Sequence, residues 1–303
     1  MNTFIPDGIF PTMLVAYDKN NHIDYKAMEE LIEWYIAKGV DGIFALCHST
    51  EIHCLTLKER LELGEFVLRK VAGRVSVVMS GITAYTHQEQ LAEAKAIAAL
   101  KPDAVVLLTN RIAYENPTDF YENIASFLKE LPIDMPLGLY ECPHPYKRVL
   151  TDEEVAFLAE SGRFAFIKDT CCDLAMMKRR AELTKNSTLK LYNANCATFI
   201  ESMRFGYSGF SGIMANFHPD LYAAAFRDIN GANADFLNPY LGVTSLVELR
   251  AYPVCCKQYL ARYEGLSLLP YSRSVADTNV PTVASELEGI YVLTSFCRRE
   301  VGI

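Results

Sequence analysis

Eight short apolar runs recur at near-even intervals through the first 216 residues, and this spacing limits the chain to very few folds. The runs are GIFPTMLVAY (8–17), GIFALC (42–47), VSVVMSG (75–81), AVVLLT (104–109), LGLYEC (137–142), FAFIKDT (164–170), LKLYNAN (189–195) and GFSGIMAN (209–216). Several are apolar at consecutive positions, as strands covered on both faces require. Helical patterns fill most of the gaps. In IDYKAMEELIEWYIAKG, apolar residues fall at 28, 31, 32, 35 and 36, and Gly39 is a stop signal. Thr56 with Glu59, and Thr151 with Glu154, have the spacing of capping boxes. Residues 87–100 are rich in strong helix formers and stop before Pro102; 118–131 follow the same logic, and 197–206 fit a helix between the last two runs.

Eight such alternations predict a (β/α)8 TIM barrel. The competing architecture is an open doubly wound sheet. Its nucleotide-binding versions carry GxGxxG or GxxxxGK followed by Ser or Thr, and neither motif occurs. From residue 219 the pattern is helical to the end, through PDLYAAAFRDI, NPYLGVTSLVEL, VCCKQYLARYEG and VPTVASELEGIYVLTSFCRRE. That is more than one closing helix needs. The expected organisation is a barrel over 1–218 and a C-terminal helical extension over 219–303, packed on the barrel.

Composition narrows the partners. Half of the 303 residues are hydrophobic, 22% are charged, and the net charge is −8 with the basic residues scattered. This argues against a nucleic-acid partner. No stretch approaches the roughly 18 consecutive apolar residues that a membrane span needs. The opening MNTFIPDGIF lacks the basic and apolar regions of a secretory signal. The nine cysteines are odd in number and show no zinc spacing. They read as reduced core residues of a cytoplasmic protein.

The candidate chemistry centres on Lys168. It closes the run Phe164-Ala165-Phe166-Ile167, where burial disfavours the ammonium form and frees a nucleophilic amine that can form a Schiff base. The competing reading is a lysine whose stem is buried and whose head reaches water. In a barrel, chemistry sits at the C-terminal strand ends. Tyr140 ends the neighbouring run, about 4.8 Å away if the strands pair, and can serve the proton transfers of imine chemistry; it can equally be an amphipathic core residue. The polar turn Cys47-His48-Ser49-Thr50-Glu51 offers backbone N–H groups and hydroxyls suited to a carboxylate, with Ser49 placed to relay a proton to Tyr140. Glu51 reads as a buried structural carboxylate. His48, Ser49, Glu141 and Ser211 are the expected substrate-binding residues, and no metal site or cofactor is expected.

Several segments together, namely GIFPTMLVAYDKNNHID, GIFALCHSTEIHCLTLKER, LYECP, IKDT, YNAN and GFSGIMAN, resemble the dihydrodipicolinate synthase / N-acetylneuraminate lyase family of class I aldolases. The likeness covers residues 5–216 well and the tail loosely. It implies a (β/α)8 barrel with a helical extension, assembled as a dimer or tetramer, without metal or organic cofactor. It also implies that Lys168 forms a Schiff base with pyruvate or another 2-keto acid, that Tyr140 shuttles protons, and that the His48-Ser49 turn holds the keto acid carboxylate. The family turn reads Gly-Thr-Thr-Gly-Glu or Gly-Ser-Thr-Gly-Glu, so both glycines are replaced here. His144-Pro145-Tyr146 stands where the synthases carry an arginine for the second substrate's carboxylate. Ile112, close to Tyr114, aligns with the tyrosine that they lend across a dimer interface. Asn193-Ala194-Asn195 replaces the Gly-Asp-Glu of the sialic acid enzymes. The expected activity is a Schiff-base-forming lyase, an aldolase or hydro-lyase acting on a 2-keto acid, with sugar-derived ones among the candidates. The alternatives are a dihydrodipicolinate synthase-like condensing enzyme, a barrel enzyme that uses Lys168 only as a charged hydrogen-bond donor, and a family member that binds a keto acid without turnover.

Overall fold

The computed structural model describes residues 5–113, 116–275 and 283–303. Eight parallel strands form one sheet: β1 (Gly8–Ile9), β2 (Gly42–Ala45), β3 (Ser76–Met79), β4 (Ala104–Leu108), β5 (Leu137–Tyr140), β6 (Phe164–Asp169), β7 (Lys190–Asn193) and β8 (Gly209–Phe210). Their order, β1-β8-β7-β6-β5-β4-β3-β2, leaves β1 and β2 as the ends, and a parallel bridge between Thr12 and Phe44 joins them. The fold is therefore the predicted (β/α)8 TIM barrel. All eight predicted runs contain a strand, but the first and last contribute only two paired residues each.

The helices are α1 (Tyr25–Ala37), α2 (Leu57–Val71), α3 (His87–Ala99), α4 (Thr109–Ile112), α5 (Phe120–Glu130), α6 (Asp152–Ser161), α7 (Leu174–Thr184), α8 (Phe199–Phe205), α9 (Pro219–Arg227), α10 (Ala232–Thr244), α11 (Val254–Tyr263) and α12 (Val283–Glu300). Both predicted capping boxes form, at Thr56 and Thr151. The short α4 was not expected: the fourth apolar run places Thr109 at the end of a strand, and in the structure it opens this helix. α9 packs against β1 and completes the eighth βα unit. It begins where the extension was expected to begin, so α10–α12 are what lies beyond the barrel's own eight units.

Two apolar layers follow from strand periodicity. Phe10, Phe44, Val78, Val106, Leu108, Tyr140, Phe166 and Tyr192 fill the barrel interior. Gly138 makes room there, since a Cβ on it would lie 2.6 Å from the Phe166 ring. The larger layer lies between sheet and helices and runs on without a break into Tyr222, Leu241, Tyr259 and Leu260 of the tail. None of the described helices is long and apolar enough to cross a membrane.

Candidate active site

Lys168 and Tyr140 are direct partners in the β5–β6 ladder, so both project from the same height into the barrel. The lysine amine lies 4.3 Å from the centre of the Tyr140 ring and 5.2 Å from that of Phe44. Ring faces attract a cation, but burial opposes it more strongly. With 3% of its surface exposed, Lys168 is held down to about 8 by desolvation, tempered by the Cys47 and Cys142 thiols and the Glu248 carboxyl. At neutral pH roughly one amine in ten is then free base, against about one in three thousand for an exposed lysine. Burial drives the Tyr140 phenol well above its usual 10, with the thiols of Cys142 and Cys47 adding to the effect. Tyr140 therefore remains a proton donor throughout the physiological range.

The turn after β2 is a 3-10 helix, His48–Thr50. Replacement of the two family glycines costs no strain, because Cys47 has φ −102° and Thr50 is not among the left-handed residues. The Thr50 hydroxyl donates to the Met13 carbonyl at 2.7 Å and accepts from the Cys47 N–H at 3.1 Å. Ser49 does not contact Tyr140 as expected. Its hydroxyl donates to Thr12 at 3.0 Å, and Thr12 is held in turn by Asn216. Glu51 is structural, as predicted. It sits in the left-handed region at φ 56° and accepts from Lys257, Ser272, Ser274 and the backbone of Arg273. The extension is thereby fastened under the turn that carries His48 and Ser49.

Glu141 is the clearest correction. It follows Tyr140, so alternation turns its carboxylate away from the barrel interior and into the helix layer. There it is fully buried and accepts from the backbone N–H groups of Leu150 and Thr170, both at 2.8 Å, and from Arg180 of α7 at 2.7 Å. The same guanidinium reaches Oδ2 of Asp169, the neighbour of Lys168, at 2.7 Å; Tyr207 donates to that same oxygen at 2.5 Å, and the Cys171 N–H donates to Oδ1 at 2.7 Å. Burial, then Asp169, raises Glu141, while Arg180 holds Asp169 down against burial. Glu141 braces the strands and does not line a pocket. Ser211 faces the aromatic interior, on a void of about 10 Å³ beside Phe10, Phe44, Phe166 and Tyr192. A cleft of about 860 Å³ opens at the far end of the barrel against Arg163 and Lys185. It holds neither Lys168 nor Tyr140, and that end of such a barrel serves stability.

The dihydrodipicolinate synthetase family model matches residues 5–249. The chain belongs to that family. It is accordingly an enzyme of the class I lyase type, whose relatives include both aldolases and synthases. It is 28% identical over 227 residues to the probable 2-dehydro-3-deoxy-D-pentonate aldolase YjhH of Escherichia coli, covering 73% of each chain. It is 24% identical over 229 residues to the 4-hydroxy-tetrahydrodipicolinate synthase of Staphylococcus haemolyticus, covering 76% of each. Among solved structures, the prophage protein YagE of Escherichia coli, crystallised in complex with pyruvate, superposes with a TM-score of 0.81 at 19% identity over 96% of this chain and 98% of that one.

Around Lys168 and Tyr140 the fold gathers further polar residues. His53 and His144 join His48 at the barrel mouth. The pair His48 and His53 was visible in CHSTEIHC, but His144 lies some ninety residues further on and only the fold brings it there. Asn110 of α4 donates to the carbonyls of Cys142, His144 and Tyr146, each at 2.8 Å, and so shapes the loop after β5. Glu248, from the 3-10 turn after α10, lies 3.6 Å from the Cys196 sulfur, and burial lifts its carboxyl to about 7. Asn193 and Asn195 cap the chain after β7. Ile112 is buried, and Tyr114 lies outside the described residues. No group of three His, Cys, Asp or Glu among the described residues is arranged to hold a metal ion.

Proposed function

We propose that the protein is a Schiff-base-forming lyase that acts on pyruvate or another 2-keto acid, with Lys168 as nucleophile and Tyr140 as proton carrier. The observation that carries this reading is the buried Lys168 amine, lowered to about 8 and laid against the Tyr140 ring at 4.3 Å. The free amine adds to the keto carbon, and the resulting carbinolamine loses water to give a protonated imine. In an aldol cleavage, the C4 hydroxyl of the substrate gives up its proton and the C3–C4 electron pair moves to the imine. The aldehyde leaves, and C3 of the enamine then takes a proton. In a dehydration, C3 loses the proton and C4 loses hydroxide, which departs as water. Tyr140 supports either course: its proton leaves with the carbinolamine hydroxyl as water, and the phenolate left behind takes the proton from the C4 hydroxyl or from C3 and returns it to C3 of the enamine or to the departing C4 hydroxide. The N–H groups that open the His48–Thr50 turn have no helical partners of their own and suit the keto acid carboxylate.

The nine free cysteines, most of them buried, support a reducing setting such as the cytoplasm. Exposed apolar residues on α10 and α12, including Val243, Val292, Leu293 and Phe296, support a dimer or tetramer, which sedimentation would test. The decisive experiment is borohydride reduction with pyruvate and with a panel of 2-keto acids, followed by peptide mapping. The expected result is an adduct on Lys168 whose rate of formation rises about tenfold per pH unit below 8 and levels off above it. A protein that forms no adduct with any 2-keto acid would not be a lyase of this type.

A further inference from the structure

Three imidazoles meet at the barrel mouth beside the Lys168 pocket. His48 and His144 stack with ring centres 4.9 Å apart and planes 22° apart. His53 lies 5.7 Å from His48 and 5.4 Å from His144. The rings come from separate, well-held places. His48 is in the 3-10 turn after β2 and His53 in the following one, Ile52–Cys54. His144 stands on the loop that Asn110 fixes with three hydrogen bonds. Nδ1 of His48 and Nε2 of His53 are buried and have no hydrogen-bond partner among the described residues. Buried polar atoms are seldom left so, and a polar group on a bound molecule would satisfy both.

The chemistry of that group follows from the rings' charge. His48 is held down to about 4 by burial, with His144 and Lys168 adding to it. His53 is held to about 4 by burial, with His48 and Arg111 next. Both are neutral at physiological pH. A neutral imidazole carries one N–H donor and one lone-pair acceptor. An alcohol has the same duality, whereas a carboxylate only accepts and leaves the lone pairs unused. The segment His144-Pro145-Tyr146 itself carries no Lys or Arg, and the cations that act on the cluster are Lys168, Arg111 and Arg60.

We propose that His48, His53 and His144 form the subsite for the part of the substrate beyond its keto acid, and that this part is an uncharged, hydroxyl-bearing chain. The proposal rests on the Schiff-base reading of Lys168, and its test separates the two. The whole protein is given excess pyruvate with glyceraldehyde, propanal or succinic semialdehyde in turn, and the condensation products are followed by NMR. A parallel borohydride trap with pyruvate reports on Lys168 alone. The expected result is a kcat/KM for glyceraldehyde at least tenfold above those for propanal and succinic semialdehyde. His53→Leu and His144→Leu each reduce the ratio of glyceraldehyde to propanal by about tenfold, the effect of one lost hydrogen bond in a desolvated site. His53→Gln keeps a donor and an acceptor and retains most of the ratio. His144 is exposed, so its variant carries the test if His53→Leu does not fold. A pyruvate adduct accompanied by no condensation, by no preference among the aldehydes, by a preference for the carboxylate-bearing one, or by ratios unmoved in the variants overturns the subsite and leaves Lys168 standing. Absence of the adduct overturns both.

Discussion

The last residues of β5 and β6 carry two opposite environments on the two faces of the same strands. Inside the barrel, Tyr140 and Lys168 face aromatic rings and thiols, and the lysine charge is left without an ion-pair partner among the described residues. One residue further along each strand, Glu141 and Asp169 turn the other way, and both are paired to Arg180 with side chains fully buried. Unpaired burial shifts Lys168 toward its neutral, reactive form, whereas the Arg180 charge holds Asp169 ionised against burial and opposes the rise that burial and Asp169 impose on Glu141. A single step along a strand therefore separates the reactive face from the brace behind it. The brace ties the two strand ends to one guanidinium on α7, which keeps Tyr140 and Lys168 level with each other.

Substitutions on the two faces should fail in opposite ways. Lys168→Met has the largest expected effect, with complete loss of the reducible adduct and of turnover. The same variant should be more stable than the parent at pH 7. The folded amine titrates near 8 and an unfolded one near 10.5, so the unfolded chain binds the extra proton between these values. Stability thus rises with pH across that window, and the cost of the lysine is fully present below it. The gain in Lys168→Met is on the order of 1.4 kcal/mol per unit of depression, and denaturation at pH 7 and pH 10 should show it shrinking. Arg180→Met should do the reverse. It leaves two buried carboxylates uncompensated and should cost about 3–5 kcal/mol in urea unfolding. If Arg180→Met proved as stable as the parent, the brace would have no structural weight. Tyr140→Phe should still form the pyruvate adduct but turn over about 10²-fold more slowly; unchanged turnover would remove the phenol from the reaction. Ser211→Ala should be the mildest. Its hydroxyl is buried without a partner among the described residues, so activity should stay within about twofold and stability should hold or rise slightly.

Much of this was legible without coordinates because it depends on local pattern. A buried parallel strand must be apolar on both faces, so eight runs stood out, and capping boxes marked two of the helices between them. Lys168 was conspicuous because a cation at the end of such a run has few explanations. The departure of Glu141 from its expected place in the pocket has a cause that is also local. Its neighbour Tyr140 faces inward, so period-two alternation alone assigns Glu141 to the other face, but its destination there depended on Arg180, a cation on a helix thirty-nine residues away. Ser49 was placed by its nearness in sequence to the turn, and its partner turned out to be Thr12, thirty-seven residues earlier.

The sequence by itself determined the class of fold, the strand-end position of the lysine and the tyrosine beside it, because periodicity and burial act over a few residues. Only the tertiary structure decided which polar groups meet. The cluster of His48, His53 and His144, the Arg180 brace and the Glu51–Lys257 pair each join segments far apart in the chain. No local preference encodes such meetings. They arise when closing the barrel brings the strand ends together at one mouth, where each buried polar atom must find a partner from whatever segment arrives beside it.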